Sequence, residues 1–598
     1  MENALKKQAA GVDLNELRAR ARAAVRRWLA VHQAEAVSAL LLLLMAANLL
    51  AAISRKSITN DEVVHIPAGY YHLVAGQFQL NNEHPPLVKM WAALPLLFIQ
   101  PNEATPQPGQ ATGNFSEETW KYLDQFWPNN REHFEAISFW TRTMMVLITL
   151  ALGVLIFFYA RDLFGPRAAT LAVALYSLEP TVLGHGRLVH TDLSAAFVYL
   201  LFFFALRYYL AKRTSRRALL LGLAAGLALV VKFSMIVLLP VLLCLALGML
   251  ITAPRLQVSR KRLAIHFAFL FCALLFVVNA AYYFRSQPLE PADVRWVQTM
   301  TPASFDRWMI FFRAGSHVVP SYFLFGQYNV MLHNRDGHPT SLLGHYNQTG
   351  WWYYFPAAFA LKTSLPFLLL ALAALGWALA ALWRRDWRFL WLLGPLAIYV
   401  ALSMSSRINI GIRHFLPAYS FLFIAGGVLL DRLLRVRYAR HLLITLVVLM
   451  FGWMGVEMLR TYPDYLPYMN QLASAHSRWW YLSDSNVEWG DDARALADYL
   501  HARGETDVRG ALSGGWATLE LYGIHYHEIF PKPGRLVPET RYVAIGASYL
   551  NGSTIPVLAD DQGKLLSDEQ RVNYLASYRT VTPEATFGHS IFLYRVRD

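Results

Sequence analysis

The chain has 598 residues, 55% hydrophobic and only 16% charged, with a net charge of +14. An average soluble domain carries about 25% charged residues, so this composition excludes an ordinary water-soluble protein and points to a polytopic membrane protein. The two cysteines, Cys244 and Cys272, both lie in apolar runs and exclude a disulfide framework or a cysteine metal centre.

The first 35 residues are basic and Ala-rich. LNELRARARAAVRRWLAV reads as an amphipathic segment on the cytoplasmic membrane face, with no cleavable signal. A membrane helix needs about 20 mostly apolar residues. Eleven stretches qualify as candidates, at about 36–53, 137–160, 168–185, 193–210, 218–231, 234–251, 264–283, 356–382, 389–404, 414–430 and 441–459. Alternate connections are basic: AKRTSRRA (211–218), RLQVSRKR (255–262), WRRDWR (383–388) and DRLLRVRYAR (431–440). The positive-inside rule places these and the N-terminus in the cytoplasm. The long loops 54–136 and 284–355, the short GHGRLVHTD and the tail then lie outside. Most of the +14 is therefore orientation charge, which sets nucleic acid aside as a partner.

Residues 101–115 are rich in Pro and Gly and read as a mobile loop. Residues 460–598 hold no run long enough to span and read as a small extracytoplasmic α/β domain. RGALSG, RYVAIGA and SIFLYRVRD read as strands, and DDARALADYLHARG as a helix ended by Gly504.

Polar side chains are costly at membrane depth, so those gathered at span ends on one face are functional candidates. The outer face collects Asp61 and Glu62, His84 and Lys89, Arg142, Arg187, His190 and Asp192, Lys232, Lys362, Arg407, Arg413 and His414. A few carboxylates among many cations at a membrane boundary suit a ligand with an anionic headgroup and a lipid tail. Plainer readings stand beside this one. Thr59-x-x-Glu62 fits a capping box, although Pro67 would break or kink that helix. Adjacent helical side chains do not share a face, so Asp61 is the freer carboxylate if Glu62 caps. Lys89, Lys232 and Lys362 could equally snorkel. Pro85-Pro86 could simply start a helix. His65 and His72 read as packing or surface residues, and no spaced His pair signals a metal. DSNVEWGDD reads either as an acidic sugar or cation site or, preferably, as a capped, solvated helix start.

In order, Asp61-Glu62, His84-Pro85-Pro86-Leu87-x-Lys89, and Arg187 through Asp192 after LEPTVLGHG resemble the motifs of the protein O-mannosyltransferase superfamily. LLGHYNQTGWWYYFPAAFALKTSLP and NIGIRHFLPAYSFLFIAGG resemble its bacterial members, the phospholipid-carrier-dependent glycosyltransferases. YPDYLPYMN and YLSDSNVEWGDD resemble a C-terminal extension of some of these, so the resemblance covers about residues 36–492.

The resemblance implies a GT-C fold, with a transmembrane catalytic domain over 36–459 and the domain 460–598 beyond it. It implies an inverting glycosyltransferase of a bacterial inner membrane, moving a hexose such as mannose from a polyprenyl-phosphate sugar to an extracytoplasmic hydroxyl, protein Ser/Thr among the candidates. No cofactor or metal is expected to be essential. Asp61 is implied as general base, Glu62 as its catalytic neighbour, Arg187 as carrier-phosphate ligand, and His84 and Lys89 as donor-site residues. Asp192 would orient Arg187 or hold the acceptor loop. Arg142, Arg407, Arg413 and His414 are further phosphate candidates by position and charge. The tail does not match the luminal domain of the eukaryotic enzymes, and the 284–355 loop is too short for one, which weighs against a protein acceptor. The alternatives are a lipid A or cell-wall glycan modifying transferase of the aminoarabinose-transferase type and, outside enzymes, a lipid-linked sugar transporter.

Overall fold

The computed structural model describes residues 32–102, 104, 111–112, 115–253, 258–530, 537–559 and 563–596. The basic segment before residue 32, most of the loop 101–115 and part of RLQVSRKR lie outside the described residues. The protein is a polytopic helical membrane protein. Among the described residues nine helices are long and apolar enough to cross a bilayer: Gln33–Ile53, Arg131–Phe164, Asp192–Ala211, Phe233–Ile251, Arg260–Ala280, Leu365–Trp383, Trp387–Ser405, Ile412–Leu433 and Arg440–Thr461.

The other two expected stretches form shorter helices, Pro166–Leu178 and Ser215–Val231. The first stops where the backbone turns extended at Glu179, ahead of Pro180, and a short helix Pro180–His185 follows. A proline has no N–H to continue the ladder, which is why the run 168–185 is not one helix. The second ends at Lys232, also extended. Both lie deep in the bundle, and small residues let them. A Cβ on Gly222 would collide with the Leu270 carbonyl, and one on Gly427 would lie 2.6 Å from the Ala172 nitrogen. Close backbone approach through Gly and Ala is the usual way membrane helices associate.

The described parts of the long loops hold helices. Residues 54–136 contain helices Asn60–Ala75, Pro86–Ala93 and Glu117–Asn129. Residues 284–355 contain Pro291–Met300, Phe305–Gly315 and Ser321–Asp336. The helix Asn60–Ala75 runs through Pro67, contrary to the expected break. Pro67 cannot bond the Val63 carbonyl, and the Trp127 indole N–H donates to that carbonyl instead, at 2.8 Å.

After Arg440–Thr461 the chain forms a five-stranded sheet from β1 (Asp507–Ala511), β2 (His525–Glu528), β3 (Tyr542–Gly546), β4 (Ala585–Phe587) and β5 (Ile591–Arg595). The order is β2-β1-β3-β5-β4, with β1 parallel to both β2 and β3 and the remaining pairs antiparallel. The helix Ala493–His501 packs beside it, and Gly504, at φ +72°, turns the chain toward β1.

Candidate active site

The site begins at the first turn of Asn60–Ala75. Successive residues on an α-helix point about 100° apart. Asp61 and Glu62 therefore leave that turn in different directions. Glu62 points inward and is fully buried. It accepts the Thr59 backbone N–H at 2.7 Å and the Val189 N–H at 2.8 Å. Arg142 grips the same carboxylate through Nε at 2.9 Å and Nη2 at 2.6 Å. The rest of the guanidinium donates to the carbonyls of Lys56 and Ser57. Burial works against the Glu62 charge, but Arg142 prevails and holds its carboxyl below the usual range. Glu62 is thus tied off, and Arg142 is spent on it and on backbone carbonyls.

Asp61 faces open space. Its Oδ2 accepts from Arg413 Nη1 at 2.7 Å, and its Oδ1 from the Trp489 indole N–H at 3.2 Å. Burial works against its charge, and Arg413 outweighs burial to keep the carboxyl below its usual range.

Two cavities meet here. The first, about 500 Å³, has walls of Phe233, Trp308, Phe311, Leu324, Met331 and Leu402, and its polar end carries Glu83, His84, Lys232, Arg413 and His414. The second, about 700 Å³, lies between the bundle and the C-terminal sheet. Asp61, Asp484, Glu488, Trp489, Tyr526 and Glu528 line it. Glu83, His333, Ile410 and Arg413 belong to both, so the apolar groove and the polar chamber join at Arg413.

The remaining sequence candidates divide. Asp192, at the start of its helix, pairs with Lys232, lies 3.1 Å from His190 Nδ1, and stands 3.9 Å from Arg413 and 3.8 Å from His414. Lys232, His84 and His414 line the groove. Burial keeps His84 neutral by pushing it well below its ordinary value. Lys89 starts one turn into the helix that Pro86 opens, and its Nζ folds back onto Asn81, 2.6 Å from the carbonyl and 2.9 Å from Oδ1. Burial brings it down to about 7. Arg187 is fully buried behind the chamber, with Nη2 3.0 Å from Asp491 Oδ2. Arg407 is exposed and donates to the Arg335 carbonyl at 3.2 Å; its neighbours Ser406 and Ile408 line the first cavity, but Arg407 itself lines neither. Asp61, His84, Arg413 and His414 are thus brought to one junction with Asp192 beside it, whereas Glu62, Arg142, Arg187, Lys89 and Arg407 line neither of these two cavities.

Several cavity residues escaped sequence reasoning. Glu83, next to His84, is pushed up to about 7 by burial and by the Asp61 charge. Its signal was only its place in NNEHPP. DSNVEWGDD is not a solvated helix start: Ser485, Asn486, Glu488, Trp489, Asp491 and Asp492 are all buried against the bundle. Its density of acids around one tryptophan was the readable clue. Burial pushes Glu488 up to about 7. Among the described residues no three His, Cys, Asp or Glu side chains converge as metal ligands would.

Residues 134–282, which include Arg142, Arg187, Asp192 and Lys232, match the family model described as Dolichyl-phosphate-mannose-protein mannosyltransferase. The match bears out, over those residues, the resemblance read from the motifs, and the nine apolar helices among the described residues make the chain a multi-pass membrane protein. Among solved structures, the chain is similar to ArnT from Cupriavidus metallidurans in the apo state, at 14% identity and TM-score 0.47, covering 95% of this chain and 98% of that one. It is similar to the Archaeoglobus fulgidus oligosaccharyltransferase tethered with an acceptor peptide, at 11% identity and TM-score 0.45, covering 93% and 69%. It is also similar to the S. cerevisiae protein O-mannosyltransferase Pmt1-Pmt2 complex, at 16% identity and TM-score 0.31, covering 42% of this chain and 33% of the yeast chain, about a third of its length. No curated protein matches the sequence.

Proposed function

We propose that this chain is an inverting glycosyltransferase that takes a sugar from a polyprenyl-phosphate carrier and passes it to an acceptor hydroxyl on the extracytoplasmic face. The supporting observation is the junction itself. An apolar groove ends in cations, and a polar chamber holding an ionised carboxylate opens directly beyond them. The lipid lies along Phe233, Trp308 and Phe311. The phosphate rests near Arg413, Lys232 and His414, and the sugar projects into the chamber.

The acceptor oxygen attacks the anomeric carbon as the bond from that carbon to the phosphate oxygen breaks. The carrier departs as a phosphate monoester. Arg413 and Lys232 stabilise the charge that develops on it, usually the largest catalytic effect. Asp61, kept ionised by Arg413, takes the acceptor proton. This reading moves the phosphate contact from Arg187 to Arg413 and Lys232, and gives Glu62 and Arg142 the work of holding the Asn60–Ala75 turn. The basic connections favour a cytoplasmic N-terminus and an outward chamber, in a bacterial inner membrane. A lipid A or cell-wall glycan acceptor would use the same donor groove.

The test uses purified protein in lipid, a panel of radiolabelled polyprenyl-phosphate sugars and membrane extract as acceptor source. Wild type transfers label. Asp61→Asn binds donor but loses transfer by about 10²–10⁴-fold. Normal transfer by Asp61→Asn would remove the base from the scheme. Movement of lipid-linked sugar across the bilayer without transfer would replace the enzyme with a transporter.

A further inference from the structure

Asp61 is built on the bundle, but one of the groups that hold it comes from the far end of the chain. Trp489 lies 428 positions away in sequence, in the strap DSNVEWGDD that leads into the C-terminal sheet. The strap is nailed down on both sides of it. Asn60 N–H donates to the Trp489 carbonyl at 2.8 Å, and Ser57 N–H to the Asp491 carbonyl at 2.9 Å. Asp491 also meets Arg187, and Asp492 meets Lys56. Lys362 Nζ donates to the Leu466 and Asn486 carbonyls at 2.6 and 2.7 Å. Gly490, at φ +93°, makes the turn that a side chain could not: a Cβ there would sit 2.5 Å from the Ser513 carbonyl oxygen.

So held, the indole does two things at once. Its N–H reaches Asp61 Oδ1 at 3.2 Å, and its ring lies under the Arg413 guanidinium, 4.0 Å from Cζ to the ring centroid. Arg413 in turn holds Asp61 Oδ2. Each carboxylate oxygen therefore has one donor, and both donors are fixed by the same ring. We propose that Trp489 is a positioning residue for Asp61 and Arg413, so that the candidate active site is complete only when the C-terminal strap is docked on the bundle. This rests on the glycosyltransferase reading above for what the site does, but the geometry of the carboxylate can be tested without it.

The N–H to Oδ1 bond favours the ionised carboxylate. The other charged or titratable groups around Asp61 are Arg413, Glu83, Asp484 and His65. A hydrophobic carbodiimide labels only protonated carboxyls, so its rate at a fixed pH reports the protonated fraction of Asp61. In full-length protein at pH 5, Trp489→Phe keeps an aromatic face under Arg413 and loses the donor. The labelling rate of Asp61, read by peptide mass spectrometry, is expected to rise about tenfold, the effect of losing one hydrogen bond to a charged group. Transfer activity is expected to lose kcat with an unchanged KM for the donor. An unchanged labelling rate overturns the positioning role, even if activity falls. If Trp489→Phe does not fold, the benzothiophene analogue of Trp489 keeps the ring volume without the N–H, and the same tenfold criterion applies. A wild type that transfers no sugar would sink the glycosyltransferase reading, while the labelling rates would still decide the fate of Trp489.

Discussion

Asp61 and Glu62 are neighbours on one helical turn, each gripped by an arginine, yet their side chains are 18% and 0% exposed. The Glu62–Arg142 pair is sealed by the carbonyls of Lys56 and Ser57 and the N–H of Val189. The Asp61–Arg413 pair stands at the mouth between two cavities. The difference shows how a single turn can divide labour. A buried, saturated ion pair fixes the backbone, and a partly open one of the same chemistry keeps lone pairs available to a substrate.

The contrast can be broken from either side. The largest effect is the loss of transfer by Asp61→Asn, with stability nearly unchanged. Arg142→Ala should do the reverse. It strands Glu62 as an unpaired buried charge and is expected to cost about 3–5 kcal/mol of stability, read as a fall in Tm in detergent. A variant that folds like wild type but loses only activity would place Arg142 at the substrate after all.

Glu83, between the two pairs in effect, sharpens the comparison through pH. Its folded pKa is raised from 4.5 to about 7. The unfolded chain ionises first, so wild-type stability falls as pH rises from about 4.5 to about 7, and the loss is complete above that. Glu83→Gln removes this loss. The variant should match wild type at pH 4 and exceed it by about 3 kcal/mol at pH 8. Equal stability curves at both pH values would show that Glu83 is not held protonated. The smallest effect belongs to Arg407→Ala. The side chain is exposed and lines neither cavity, so transfer should be unchanged and stability altered by less than about 0.5 kcal/mol. A marked rise in KM for the donor would return Arg407 to the site.

Much of the site was legible because its chemistry is unusual for a membrane. Asp61, Asp192, Arg413 and His414 stand out as charged or titratable groups at the ends of apolar runs, and hydropathy alone put them on one side. Their order along the chain also carried the resemblance that the match over 134–282 bears out. Other choices were closed to sequence. Arg142 and Arg187 look like phosphate ligands for the same reason as Arg413, and only packing shows that Arg142 is gripped by Glu62 and that one nitrogen of Arg187 meets Asp491. Pro67 looks like a helix break, because nothing local reveals that Trp127 will satisfy the stranded carbonyl of Val63.

Composition and order along the chain are enough to fix the solvent each segment accepts. Long apolar runs must enter lipid, basic connections orient them, and costly charges collect where the runs end. Which charge meets which depends instead on how the helices pack. Those partners lie hundreds of residues apart, Asp61 with Arg413 and Trp489, Arg187 with Asp491. Pairing at such distances is settled by helix packing and by the docking of the C-terminal strap, because an ion pair or hydrogen bond forms only when the folded backbone brings donor and acceptor within about 3 Å.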